Sequence, residues 1–487
     1  MNGSRPIVLY VLFAVLGLLP LAAGRSGRPA GAHEAVADRP NILVIMTDDQ
    51  TVEQMRALPK TRRLLGQRGT TFANSFVDFS LCCPSRSTFL TGQYAHNHGV
   101  TANGGPHGGY PHLDHSNTLP LWLQEAGYYT AHLGKYLNNY GVGSPAPPPG
   151  WSRWFGLIDP TTYRMYDYTV SDGGRPVSYG ESPKDYQTDV LAAKAEEILR
   201  SRAGSAQPFF VMVTPIAPHL ERIGRDQTPP RPAPRHAGRF AAEALPAKSD
   251  FDEPDVSDKP NHIRNRPRLS PAERLHVTAT YRACLASLLA VDDLVERLVK
   301  VLDETGQLGR TVIVFTSDNG FFFGEHRVSE GKYLPYEESI RVPLIIFDGR
   351  GGAGVHGGIF PAGATVAQPV SNVDLAPTIV ALAGARARRV MDGRPLLPLA
   401  LDPQQGKSRT LLIEGAGQGH GKPPFAAVRD ARWFYAEYRN GDRELYDLQN
   451  DPFELRSVHA DPAFAAVRND LAGRLARLRA CSGPSCL

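Results

Sequence analysis

Three short, almost continuous apolar runs constrain the fold of this chain more than any other feature. They cover residues 41–46, 208–214 and 311–315. Runs of this kind are typical of strands that are buried on both faces of a parallel sheet. The polar residues that follow them are Asp48, Asp49, His219, Asp318 and Asn319. Because ligands bind at the carboxyl ends of the strands in open α/β sheets, we expect these side chains to line a site.

The acidic residues after the first and third runs indicate a bound cation. Asp48 and Asp49 are adjacent carboxylates, which repel each other unless a cation lies between them. Asp318 and Asn319 add a carboxylate and an amide oxygen. A set of oxygen ligands suits Ca²⁺, or less well Mg²⁺, better than it suits zinc. The alternative for Asp48 and Asp49 is a cap and turn before a helix over 52–66.

A second feature is the run Cys82-Cys83-Pro84-Ser85-Arg86. Proline is well tolerated in the first turn of a helix, and the pattern predicts a helix over 85–94. Cys82 then lies at the helix N-terminus, where free N–H groups and the helix dipole favour an anion. Arg86 adds a guanidinium whose donors suit sulfate or phosphate. The alternatives are two buried structural cysteines or a disulfide between them.

This run, followed by Leu90-Thr91-Gly92, resembles the signature of the type I sulfatases, which are formylglycine-dependent members of the alkaline-phosphatase-like superfamily. The resemblance implies that a formylglycine-generating enzyme oxidises Cys82, and that the hydrated aldehyde attacks a sulfate ester. Cys83 then fills the variable position of the motif. The resemblance also implies one Ca²⁺ per chain, with the ligands Asp48, Asp49, Asp318, Asn319 and an oxygen of the modified Cys82.

Further catalytic residues are implied by the same resemblance. Lys135 and Lys332 match the two catalytic lysines of the family, and Arg86 matches the arginine of its motif. His219 matches a histidine that binds sulfate or assists the leaving group. The family commonly has another histidine where this chain has Leu137. The run Gly134-Lys135-Tyr136-Leu137-Asn138 instead looks like the branch that contains the N-acetylglucosamine-6-sulfatases and the extracellular heparan endosulfatases.

The expected fold is α/β, with a large mixed, mostly parallel sheet between helices. A smaller antiparallel α+β subdomain is expected at the C-terminus, because short strand patterns occur at 411–414, 425–429, 433–438 and 444–448. We predict a signal peptide over 1–24, a flexible leader over 25–38, a catalytic domain over 39–400 and the C-terminal subdomain over 401–487. The Pro- and Arg-rich residues 222–269 are expected to form a surface excursion.

The N-terminus reads as an export signal. Arg5 precedes an uncharged apolar run over 7–23, and small residues follow. We therefore expect a secreted or periplasmic protein, with a retained N-terminal anchor as the alternative. No second long apolar run exists, so no integral membrane domain is expected once the signal is removed. The formal net charge of +4 gives no reason to expect a nucleic-acid partner.

The remaining cysteines are assigned by position. Cys481 and Cys486 lie five residues apart at the C-terminus and are expected to form a disulfide in an oxidising compartment. Cys284 falls within a long predicted helix that begins near Ser270, and it is expected to be a buried, inert thiol.

The sequence thus predicts hydrolysis of a sulfate monoester. The expected substrate is a sulfated carbohydrate, such as N-acetylglucosamine 6-sulfate or a glycosaminoglycan unit. Three alternatives stay open: an arylsulfatase of broad specificity, a phosphonate or phosphodiester hydrolase on the same scaffold, and a non-catalytic sugar-binding protein in which Cys82 stays a thiol.

Overall fold

The three apolar runs lie next to one another at the centre of a ten-stranded sheet in a computed structural model of the protein. The structure describes residues 1–3, 39–224, 226–351, 359–406, 408–417 and 423–487. The predicted leader, and the predicted signal peptide beyond residue 3, lie outside the described residues.

Eighteen strands are present in the described residues. They are β1 (Asn41–Thr47), β2 (Thr70–Phe72), β3 (Ser75–Phe76), β4 (Tyr129–Gly134), β5 (Arg153–Leu157), β6 (Thr169–Asp172), β7 (Arg175–Ser178), β8 (Phe209–Thr214), β9 (Glu221–Ile223), β10 (Asp226–Thr228), β11 (Thr311–Ser317), β12 (Leu344–Asp348), β13 (Thr365–Val366), β14 (Val370–Ser371), β15 (Leu411–Gly415), β16 (Phe425–Arg429), β17 (Trp433–Tyr438) and β18 (Arg443–Asp447).

The large sheet has the order β13-β2-β12-β11-β1-β8-β4-β5-β6-β7. Its central strands β11, β1, β8, β4 and β5 are parallel to one another. Antiparallel strands lie on either side, with β12 next to β11 and the β6–β7 hairpin next to β5. The predicted mixed, mostly parallel sheet is confirmed.

Helices cover both faces of this sheet. The α-helices are α1 (Pro59–Thr61), α2 (Cys82–Thr91), α3 (Ala95–His98), α4 (Leu119–Glu125), α5 (Gln187–Ser201), α6 (Asn261–Arg264), α7 (Pro271–Glu304), α8 (Glu337–Ile340), α9 (Leu375–Ala383), α10 (Leu397–Leu401) and α11 (Ala465–Leu478). Side chains alternate between the two faces of a strand. Leu43 and Ile45 of β1 therefore pack in the core that α5 and α7 cover. Ile42 and Val44 pack in the core on the other side, with α2, α4 and α9.

The helix that carries Cys82 differs from its prediction at both ends. It begins at Cys82 and ends at Thr91, where Gly92 takes a left-handed conformation with φ of 69° and stops it. Pro84 is its third residue, a position whose missing N–H would have no partner within the helix in any case. All ten residues of the helix are buried.

The C-terminal region forms the expected antiparallel sheet in the order β15-β16-β17-β18, and α11 packs on it. The Cys481–Cys486 disulfide is present, as predicted. Cys284 is buried in α7, and burial raises the pKa of its thiol well above the usual value, in line with an inert side chain. Residues 39–487 form one compact unit, and the domain boundary at residue 400 stays a prediction.

The segment 222–269 lies only partly at the surface, in contrast to the expected excursion. Asp250, Asp252 and Glu253 are at most 2% exposed. The Glu253 carboxylate lies 2.7 Å from Nδ1 of His326, and the carbonyl of Asp250 accepts a hydrogen bond of 2.9 Å from the His326 backbone. This segment therefore holds the loop that leads to Lys332.

Within the described part of the chain, every helix is too short or too polar to span a bilayer.

Candidate active site

Four neighbouring strands deliver the predicted residues to one edge of the sheet. Thr47 pairs with Ser317, so Asp48 and Asp318 leave β1 and β11 at the same level. Gly134 pairs with Thr214 in the same way, which places Lys135 beside the loop that follows β8. That loop carries His219. The expectation that these strand ends converge is confirmed by the register.

The side chain of Cys82 lies in the middle of this edge. Its Sγ is 3.7 Å from Oδ1 of Asp48 and 3.0 Å from Nζ of Lys332. The residue is fully buried, at 0% exposure. Cys82 is the first residue of α2. Few N–H groups of that first turn are free, because the Cys83 N–H donates to Asn103, Pro84 has none, and the Ser85 N–H donates to the carbonyl of Leu81. Cys82 is a thiol here. Its sulfur occupies the position that the aldehyde oxygen would take in a formylglycine.

Three buried ion pairs surround Cys82. Lys135 pairs with Asp48, and Lys332 pairs with Asp49. Nε of Arg86 donates to Oδ2 of Asp318 at 2.8 Å. Lys135 and Arg86 are at most 2% exposed, so these charges are hardly screened by water. Three carboxylates therefore face three fixed cations. If a metal ion neutralised the carboxylates, the three cations would be left to attract a further anion.

The two adjacent cysteines have opposite electrostatic environments. Burial alone would raise the pKa of the Cys82 thiol, but Lys135 and Lys332 offset it and hold the pKa below its usual value. Burial raises the pKa of Cys83 to about 12. The Cys83 sulfur instead contacts Asn138, 3.2 Å from its backbone nitrogen. Both are free thiols, so the sequence alternative of a disulfide between them is not what the structure contains.

His219 faces the acidic pair. Its Nδ1 donates to the carbonyl of Leu220 at 2.6 Å, and its Nε2 lies 3.5 Å from Oδ2 of Asp49. Burial lowers the pKa of the imidazole, but Asp49 and Asp48 outweigh that effect and the net shift is upward. Nδ1 therefore carries a proton, and Nε2 faces the acidic pair.

Some of the predicted ligand residues lie close enough together to hold a hard cation. Asp48, Asp49, Cys82 and His219 bring possible ligand atoms within 4.8 Å of one another. Oδ2 of Asp49 and Oδ1 of Asn319 are buried without a hydrogen-bond donor among the described residues. Two such oxygens are costly to bury unless something positive satisfies them.

Asp318 is the predicted ligand that departs most from the expectation. Its Oδ2 accepts from Arg86, and its Oδ1 accepts from the backbone N–H of Asp49 at 3.1 Å. His219 takes its place in the group of close donor atoms. Since a carboxylate oxygen has a second lone pair, Asp318 keeps its place as a predicted ligand.

Three residues of the site were missed by sequence reasoning. Asn103 accepts a hydrogen bond of 2.8 Å from the backbone N–H of Cys83. Asn138 donates to the hydroxyl of Tyr163 at 2.7 Å, and the Tyr163 ring lies 4.6 Å from Nζ of Lys135. Only Asn138 could have been found from the sequence, because it belongs to the motif that begins at Gly134. Asn103 and Tyr163 come from irregular loops with no pattern to mark them.

Comparison with known proteins agrees with this geometry. The Sulfatase family model matches residues 40–385, and the model of the N-sulphoglucosamine sulphohydrolase C-terminal region matches residues 324–481. Arylsulfatase of Volvox carteri is 35% identical, over 98% of this chain and 79% of its own. N-acetylglucosamine-6-sulfatase of Homo sapiens is 33% identical, over 99% of this chain and 90% of its own.

A solved structure in complex with its substrate, D-glucosamine-2-N,6-O-disulfate, is similar with a TM-score of 0.76 and 26% identity. The similarity covers 91% of this chain and 97% of that one. The family models, the relatives and the fold agree along nearly the whole chain. The chain therefore belongs to the sulfatase family and is a sulfuric ester hydrolase.

Proposed function

We propose that this enzyme hydrolyses sulfate monoesters of sugars, with a formylglycine made from Cys82 as nucleophile and with one bound Ca²⁺. The observation that carries the proposal is the placement of Cys82. Its side chain is buried at a helix N-terminus between Lys332 and Asp48. A formylglycine at this position supplies a hydrated aldehyde whose oxygen attacks sulfur.

The fixed cations bind and orient the sulfate group. Lys135 and Lys332 flank Cys82, and the Arg86 guanidinium is held by Asp318 and by the carbonyl of Lys135 at 2.8 Å. Their charges are in place before the substrate arrives, so no reorganisation is needed when charge develops on the sulfate oxygens. Electrostatic stabilisation of this kind is usually the largest single contribution to catalysis.

His219 assists the leaving group. The Leu220 carbonyl accepts the Nδ1 proton, so Nε2 faces the site and carries a second proton only when the ring is charged. A proton at Nε2 can pass to the sugar oxygen as its bond to sulfur breaks. Burial lowers the pKa of His219, but Asp49 and Asp48 outweigh it and shift the pKa upward, and this net shift favours the charged ring.

The acidic residues would hold the cation. Asp48, Asp49, Asp318 and Asn319 would supply oxygens. The strongest support is that Oδ1 of Asn319 and Oδ2 of Asp49 are buried and accept no hydrogen bond from the described residues. A bound Ca²⁺ would supply positive charge that stabilises the negative charge of the sulfate group.

Metal removal tests the cation. Treatment with a calcium chelator is expected to abolish turnover, and added Ca²⁺ is expected to restore it. Asn319→Ala should raise the Ca²⁺ concentration needed for half-maximal activity by about tenfold, because a ligand is lost. Full activity in excess chelator would contradict the role of the metal.

The substrate class draws support from the relatives. The human relative is named for N-acetylglucosamine 6-sulfate, and the similar solved structure holds a sulfated glucosamine. An arylsulfatase of broad specificity is the second candidate, because the Volvox relative has that name. Values of kcat/KM for N-acetylglucosamine 6-sulfate, an aryl sulfate and an aryl phosphonate separate these reactions. A preference for the phosphonate would overturn the proposal.

The nucleophile is tested by mass spectrometry of the peptide that contains Cys82. Conversion to formylglycine lowers its mass by about 18 Da, as replacement of a thiol side chain by an aldehyde requires. Cys82→Ala is expected to abolish turnover while the protein stays folded. The neighbouring Cys83→Ala is the matched control and should keep activity within about tenfold of wild type. An unmodified, active Cys82 protein would refute the nucleophile. An inactive unmodified protein would mean either that the expression host lacks the converting enzyme or that the protein binds sugar without catalysis.

The cellular site of action follows from the N-terminal sequence. The charged start and apolar run over 1–24 support export of the enzyme to the periplasm or the medium.

A further inference from the structure

The β9–β10 hairpin, close to His219, carries an arginine that pairs with no carboxylate of the described residues. Arg222 lies in β9, three residues after His219, and its side chain is exposed. Among the described residues, no carboxylate pairs with its guanidinium. The nearby arginines are different, since Arg231 pairs with Glu221 and Arg235 pairs with Asp189. Arg222 is therefore a cation whose partner is not supplied by the described part of the protein.

The base of the hairpin is rigid, so the position of Arg222 is preset. Glu221, the preceding residue, is fully buried. Its carboxylate accepts from Arg231 at 2.8 Å and from the backbone N–H of Met165 at 2.8 Å. The backbone N–H of Arg222 donates to the carbonyl of Tyr163 at 2.8 Å. A preset cation loses little conformational entropy when a ligand binds.

Tyr163 connects Arg222 with the candidate sulfate site. The guanidinium carbon of Arg222 lies 5.2 Å from the centroid of the Tyr163 ring, and Nζ of Lys135 lies 4.6 Å from the same centroid. The two cations are therefore at most about 10 Å apart. The ring of His219 also packs against Tyr163, with 4.4 Å between centroids. A substituted sugar whose sulfate lies beside Lys135 can reach Arg222 with a second group.

We infer that Arg222 forms an anion subsite that recognises a second anionic group of the substrate, a carboxylate or a further sulfo group. This inference rests on the proposed function and narrows its substrate class to sugars or oligosaccharides with more than one negative charge. The guanidinium offers a planar fork of donors that matches both kinds of anion. Because the subsite lies at an exposed rim, its contribution depends on ionic strength and appears mainly in KM.

The test compares Arg222→Gln with wild type on D-glucosamine-2-N,6-O-disulfate and on the monosulfated N-acetylglucosamine 6-sulfate. The substitution is expected to lower kcat/KM for the disulfated sugar about fivefold to tenfold more than for the monosulfated sugar. High salt should reduce that difference in wild type. Arg175→Gln, at an exposed position on the edge strand β7, is the matched control and should leave the ratio unchanged.

Two results would overturn the subsite. An equal loss on both sugars would mean that Arg222 only supports Tyr163, and a wild-type enzyme with no preference for the disulfated sugar would leave Arg222 without the proposed role. Calorimetric binding of the two sugars to Cys82→Ala, with and without Arg222→Gln, gives a readout without turnover. An enzyme that binds the disulfated sugar through Arg222 but hydrolyses neither sugar would refute the proposed function and support the subsite.

Discussion

At the scale of single residues, the site depends on its charged side chains and also on an uncharged one, Tyr163, that covers them. Lys135 is 1% exposed and pairs with Asp48, yet the ring of Tyr163 covers its ammonium group. The same ring packs on His219. Tyr163 therefore packs at once against a cation, Lys135, and against His219, the proposed proton donor.

Two substitutions separate the ring of Tyr163 from its hydroxyl. Tyr163→Leu removes the cation–π contact and should lower kcat about tenfold, which corresponds to roughly 1–2 kcal/mol. Tyr163→Phe keeps the ring and loses only the hydrogen bond from Asn138, so kcat should stay within about threefold of wild type. Steady-state kinetics on an aryl sulfate measures both. Equal losses in the two variants would assign the effect to the hydroxyl instead.

At the scale of elements, the close approach of two strands positions Lys135. Gly134 ends β4 with φ of 104°, and a Cβ at this position would collide with the carbonyl oxygen of Thr214 in β8. The hydroxyl of Thr214 donates to the carbonyl of Lys135 at 2.7 Å. Glycine is required here both for the backbone conformation and for the contact.

Gly134→Ala is expected to destabilise the protein by about 3 kcal/mol or more, because it combines an unfavourable φ with a backbone clash. Gly127→Ala is the control: its φ of 89° is equally unfavourable, but nothing lies near the added methyl group. The free energy of unfolding of that variant should fall by only about 1–2 kcal/mol. Urea unfolding followed by circular dichroism measures both. Equal losses would show that the conformation alone, and not the contact with β8, requires glycine.

The elements also show how far the sequence could predict the fold. β1, β8 and β11 are continuous apolar runs, and the strands from Leu411 to Asp447 are short apolar and aromatic segments, so the sequence predicted all of them. Strands of two or three residues, such as β2, β3 and β13, have no period to detect. The strand-end residues of the site followed from topology. Tyr163 and Asn103 did not, because long-range packing of irregular loops brings them to the site.

At the scale of the whole molecule, the C-terminal sheet supports the helix that carries Cys82. His96 lies in α3, just after α2. Its Nδ1 donates to Glu414 at 3.0 Å, and its Nε2 donates to the carbonyl of Cys481 at 2.9 Å. Burial lowers the pKa of His96, but the hydrogen bond and charge of Glu414 outweigh it and raise the pKa to about 9. The imidazolium therefore joins α3 to β15 and to the disulfide loop.

This link predicts a pH-dependent stability. The pKa of His96 is higher in the folded protein than in the unfolded chain, so its contribution is complete below about pH 6.5 and is lost as the pH rises towards 9. For this half-buried group we expect about 1–2 kcal/mol. His96→Gln should lower the unfolding free energy at pH 6 and flatten its decline up to pH 9. His112→Gln, an exposed position, should follow wild type, and an unchanged slope in His96→Gln would refute the link.

The burial of α2 bears on the order in which the protein folds and Cys82 is modified. Cys82 is 0% exposed, and every residue of its helix is buried. The modifying enzyme of the proposed function would have to reach a side chain that the native fold encloses. Under the proposed function, conversion of Cys82 would therefore have to precede the packing of α2. A molecule that folded with its thiol intact would then stay inactive until it unfolded again.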